Sequence, residues 1–177
     1  MKPRLLVIAI VVAGVSLVAG GAWSAAGADP AQAPPGTTCT WGGTPAQPTG
    51  TFTISPGVTT SVPLDAPARF YVTGELAGDP GCTGTLTDIG QIDAGGTCSF
   101  ATFEGEAAGI PGITHFAGVG VGPFGPARLY DKDGKIVASE NADVNTVDNI
   151  PHYLDCGTPQ GFTGGNFSSV IVFVDQQ

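Results

Sequence analysis

Phe167-Ser168-Ser169-Val170-Ile171-Val172-Phe173-Val174 is the stretch that decides the fold. Its second half, Val170 to Val174, is an unbroken run of β-branched and aromatic residues, which favour extended backbone. Successive side chains on a strand point to opposite faces, so this strand is apolar on both. It is expected to lie centrally in a sheet, with a second layer packed over it. The polar residues Asp175-Gln176-Gln177 follow it, and the run is far short of the roughly 20 residues of a spanning helix.

Upstream, short β-like runs alternate with turn signals. Thr51 to Ser55 and Ala68 to Leu76 alternate, with Phe70, Val72 and Leu76 on one face and Arg69, Tyr71, Thr73 and Glu75 on the other. Pro56-Gly57, Asp79-Pro80-Gly81, Asp93-Ala94-Gly95-Gly96 and Ile110-Pro111-Gly112 read as turns. Ala127 to Tyr130 and Lys135 to Ala138 flank Asp131-Lys132-Asp133-Gly134 as a hairpin, with a type I turn and Gly134 as the αL residue of a bulge. Asp155 to Asn166 reads as a long Gly-rich loop. No stretch carries apolar residues at helical spacing over a length sufficient for a domain helix. These features predict an all-β fold, a single antiparallel β-sandwich, immunoglobulin-like or related, with a closed barrel as the alternative.

The start of the chain carries Lys2 and Arg4, then an apolar run from Leu5 to Ala19, then Ala26-Gly27-Ala28 before Asp29. That is the pattern of a secretory signal peptide over residues 1–28. An uncleaved anchor is the alternative, since Leu5 to Ala28 has no charge. Residues 29–38 are Pro- and Ala-rich and read as a linker or disordered tail. Residues 39–177 form the expected β-domain. The net charge is −9, and loss of Lys2 and Arg4 deepens it. Such a chain repels phosphate backbones, which excludes nucleic acid as a partner. No membrane contact is expected after cleavage, and the chain is expected outside the cell.

Cys39, Cys82, Cys98 and Cys156 are the four cysteines. Behind a signal peptide, an even number predicts two disulfides, and three pairings are open. The favoured pairs are Cys82–Cys98, closing a local loop, and Cys39–Cys156. A zinc site with His115 or His152 lacks the usual ligand spacing. No metal or cofactor is expected, and no catalytic residue set is recognised.

Four features bear on function. Glu104 and Glu106 share a strand face and are the candidate pair for glycoside hydrolysis, against the alternative of a solvated acidic face. Asp131 and Asp133 are turn residues or, with Glu140, Asp143 and Asp148, a surface calcium site. Trp41 is a sugar-stacking residue or packing beside a disulfide. Trp41, Gln160, Phe162 and Phe167 make up a candidate binding loop, against self-packing of that loop.

CTWGGTP at 39–45, YDKDGKIV at 130–137 and DCGTPQGFTGGNFSSVI at 155–171 together resemble small secreted proteins of high-GC Gram-positive bacteria. That resemblance implies an immunoglobulin-like or related sandwich and brings no activity and no site residues. An acidic secreted chain with four cysteines is also similar to the apoproteins of enediyne antibiotics, which bind a hydrophobic chromophore, although the cysteine spacing differs. The expected function is a non-enzymatic structural or binding role outside the cell, with a cell-wall or extracellular polysaccharide or a protein as partner. The alternatives are a carbohydrate-active enzyme using Glu104 and Glu106, and a carrier of a small apolar ligand in a cavity between sheets.

Overall fold

The structure, a computed structural model, describes residues 32–144 and 149–175. The expected signal peptide therefore lies outside the described residues. The strands are β1 (Thr38–Trp41), β2 (Gly43–Thr44), β3 (Gln47–Pro48), β4 (Gly50–Val58), β5 (Ala68–Gly78), β6 (Thr85–Ile92), β7 (Phe100–Ala108), β8 (His115–Val121), β9 (Phe124–Tyr130), β10 (Ile136–Asp143) and β11 (Phe162–Phe173). A short helix, α1 (Ile150–Leu154), and a 3-10 turn at Asp155–Gly157 precede β11.

Strands β4 to β11 run as an antiparallel meander in chain order, and β11 returns to pair with β4. The sheet is thus a closed barrel, which removes both edges. The all-β expectation holds. The two-layer sandwich gives way to its alternative, because one sheet curls until its own inner face is the core. The last strand is central as expected, between β10 on one side and β1 and β4 on the other. Its second face is not covered by a layer, and Val170 there is 40 % exposed.

Strands β1 and β4 share a single place in the barrel. Trp41 pairs with Leu76 and Ser169, while Gly50 pairs with Phe167 and Thr51 with Thr73. The Gly42 amide donates to Glu75 O, in step with that register. The chain between Gly42 and Gly50 is extruded as the small β2–β3 hairpin. Gly50 is required there: a Cβ on it would lie 2.3 Å from a ring carbon of Phe167.

Alternation sorts the side chains into the barrel or out of it. Arg69, Tyr71 and Glu75 face out from β5, while Ala68 and Leu76 are buried. The lower half is solid, packed with Trp41, Leu86, Phe116, Leu129, Ile171 and Phe173. A smaller cluster at the other end holds Val58, Ala68, Ile92, Ala101 and Phe162. The β9–β10 hairpin forms as expected. Asp131 Oδ1 accepts the amides of Asp133 and Lys135, each at 2.9 Å, and Gly134 takes φ 79°.

Several local expectations are corrected. Pro56-Gly57 is not a turn, because β4 continues to Val58, which pairs with Phe162. The Gly-rich loop ends at Gly161, and Phe162 to Asn166 are already strand. Residues 32–38 do not dangle. Ala33 packs on the core, and the Gly36 amide donates to Phe173 O at 2.8 Å.

The cysteine pairing is also corrected. The bridges are Cys39–Cys82 and Cys98–Cys156, with Cα–Cα distances of 5.4 and 6.2 Å. Cys82 and Cys98 flank β6 at opposite ends. At ~3.4 Å per residue that strand separates them by roughly 25 Å, beyond the ~7 Å a disulfide spans. Cys39 on β1 lies beside the β5–β6 turn instead. Cys156 ties the segment after α1 to the β6–β7 loop.

Candidate functional site

Between the solid lower core and the far end of the barrel lies a cavity of about 190 Å³. Its walls are aromatic, with Phe52, Phe70, Phe103, Phe116, Phe162 and Phe167 turned inward from five strands. Glycines make room for these rings. A Cβ on Gly90, Gly105 or Gly118 would come within 2.7 Å of Phe70, Phe116 or Phe103 respectively. Glycine inside a strand commonly marks such close approach. The cavity reaches the barrel end formed by the β6–β7 loop, the β8–β9 turn and α1, where Thr97, Pro123, Phe124 and Tyr153 line it. Phe124 is 45 % exposed at that mouth. The Tyr153 hydroxyl donates to Cys98 O at 3.1 Å, fixing α1 across the end, and burial raises its pKa.

Two carboxyl groups line this apolar space. Asp88 lies on the inner face of β6 and Glu140 on the inner face of β10. They are 3 % and 8 % exposed. The Ser169 hydroxyl donates to Glu140 Oε1 at 2.8 Å. Asp88 Oδ1 has no hydrogen-bond partner among the described residues. Burial, and then the charge of Glu140, push the Asp88 carboxyl up to about 9. Burial pushes Glu140 up to about 7, against the opposing hydrogen bond from Ser169. Both carboxyls are thus biased toward the neutral form, Asp88 the more strongly. Among the described residues, no lysine, arginine or histidine lines the cavity.

The residues singled out from sequence divide in two. Trp41, Phe162 and Phe167 all line the cavity, although on strands and buried rather than on a loop. Trp41 is 1 % exposed. Its indole N–H is shared between Gly74 O and Leu86 O, each at 3.1 Å, and its ring meets Phe167 edge-on at 4.6 Å. It is beside the Cys39 bridge and away from any exposed sugar site. Gln160 stands exposed in the turn before β11 and does not line the cavity.

Glu104 and Glu106 face outward from β7 and are exposed. They border a depression of about 640 Å³ on the outer wall, together with Arg69, His115 and Tyr130. His115 stacks on Tyr130 with ring centroids 4.7 Å apart, and His152 is exposed on α1. Among the described residues no group of acids, histidines or cysteines is placed to hold a metal. Of the calcium candidates, Asp131 and Asp133 serve the turn, Glu140 is inside the barrel, and Asp148 lies outside the described residues.

Sequence reasoning does not single out Asp88, and it places Glu140 on the surface. The signal is nonetheless present. Leu86-Asp88-Gly90-Ile92 and Ala138-Glu140-Ala142 each place an acid on an otherwise apolar strand face. Compared with known protein families, with curated proteins and with solved structures, the chain matches none.

Proposed function

We propose that this is a secreted binding protein that holds a small apolar molecule inside its barrel. The observation that carries the reading is the cavity: the barrel interior is left unfilled by about 190 Å³, walled by phenylalanines, and reaches the solvent at one end. An apolar cavity of roughly 150 Å³ suffices for benzene, so a compact single-ring molecule fits. An eight-stranded barrel is of the size that either fills with side chains or takes one small ligand. Two disulfides, and the absence among the described residues of a helix able to cross a membrane, accord with a place outside the cell. Glycoside hydrolysis by Glu104 and Glu106 has weaker support, because both side chains stand in solvent on the outer wall.

The test is ligand-observed NMR with toluene as the probe. Binding is expected for the wild-type protein and lost in Ala142→Phe, which puts a ring into the cavity that Ala142 lines. Absence of toluene binding, or binding that Ala142→Phe leaves intact in a folded protein, would overturn the proposal.

A further inference from the structure

We propose that Asp88 and Glu140 together anchor an ammonium group, so that the ligand is a small ring-bearing amine taken up as its cation. This rests on the reading of the cavity as the binding site and names the chemistry it selects.

The geometry leads there in three steps. Asp88 Oδ1 is an acceptor without a partner in a side chain 3 % exposed, on a residue lining the cavity. A buried polar atom left in that state costs free energy that an incoming hydrogen-bond donor recovers. The second carboxyl, Glu140, lines the same cavity and acts electrostatically on Asp88, and the Ser169 hydroxyl donates to its Oε1. A neutral hydroxyl would satisfy Asp88 and leave the ionised form of Glu140 without a countercharge. An ammonium group has three donors and a positive charge, and it answers both acids at once. Finally, among the described residues no cationic side chain lines the cavity, whereas phenylalanine rings do. Ring faces attract cations, and the carboxyl pair repels an anionic ligand.

Proton release follows from the same arrangement. Among the described residues, the titratable groups facing the cavity are Asp88, Glu140 and, at the mouth, Tyr153. Unliganded near neutral pH, the acid pair keeps at least one proton because burial disfavours its charges. A bound cation supplies the countercharge for one carboxylate, so the proton that part of the Glu140 population still holds passes to the buffer while Asp88 keeps its own.

The experiment titrates the full chain at pH 7 with toluene and with benzylamine, matched in shape and differing in charge. Calorimetry of benzylamine is run in two buffers of different ionisation heat. Benzylamine is expected to bind at least tenfold more tightly than toluene, with a fraction of a proton released. Asp88→Asn and Glu140→Gln are each expected to reduce that preference to near parity. If toluene binds and benzylamine binds no more tightly, the amine assignment is overturned and the cavity reading stands. If neither binds, both fall. Should the variants fail to fold, wild-type proton release decides alone, and heats identical in the two buffers would overturn the proposal.

Discussion

Replacing Asp88 by asparagine should make the protein more stable at alkaline pH, an unusual outcome for a buried polar position. The pKa of Asp88 rises from its ordinary value of 3.8 to about 9 in the fold, with burial the main cause and the Glu140 charge the second. The folded protein therefore grips this proton while the unfolded chain releases it from about pH 4 upward. Stability is complete below the unfolded pKa and is lost as pH rises toward the folded one. One retained proton corresponds to about 1.4 kcal/mol per pH unit, so Asp88 removes up to about 4 kcal/mol between pH 5 and pH 8. Asparagine matches the neutral acid in shape and cannot ionise. At pH 3, below both pKa values, the two proteins should differ by no more than about 1 kcal/mol. By pH 8 the variant should be the more stable by several-fold that amount. Glu140 also loses stability as pH rises toward its own raised pKa of about 7, and because its charge acts on Asp88 the measured difference reports the pair and not Asp88 alone. Urea unfolding followed by far-UV circular dichroism at each pH measures the profile. Curves that stay parallel from pH 5 to pH 8 would show that Asp88 is not a buried neutral acid, and the electrostatic account of the cavity would fail with it.

Gly50→Ala should lower stability by about 1–3 kcal/mol, because the new methyl would meet the Phe167 ring and push it off Trp41; an unchanged melting temperature would contradict the close packing at the β1–β4 junction. Non-reducing proteolysis with mass spectrometry should recover Cys39 linked to Cys82 and Cys98 linked to Cys156. The double change Cys98→Ser with Cys156→Ser should cost about 2–4 kcal/mol in thermal unfolding and weaken toluene binding, since that bridge ties α1 and its Tyr153 to the cavity mouth.

Much of the candidate site was legible as pattern and illegible as place. Trp41, Phe162 and Phe167 could be singled out as aromatic residues near cysteine and glycine, and all three reach the cavity. Asp88 and Glu140 were readable only by asking which face of a strand each acid occupies. An acid at an inward position looks the same in sequence as one on a solvated face until the inside of the sheet is known. Glu104 and Glu106 show the reverse case: their i, i+2 spacing does put them on one face, and that face is the outer wall.

What the amino-acid sequence determined by itself is local. The turn at Asp131 to Gly134, the alternation along β5, the strand character of Val170 to Phe173 and the scarcity of helical pattern all follow from short-range sterics and period-two burial. What only the tertiary structure decided is how the ends meet. The return of β11 to β4 closes the barrel, and it depends on strand curvature accumulated over the whole meander. The shared strand position of β1 and β4 depends on two neighbours, β5 and β11, that lie far along the chain. The disulfide partners depend on which end of β6 each cysteine occupies. Closure also turned two ordinary acids into a buried pair, because the same curl that removes the sheet's edges takes one whole face of every strand out of water.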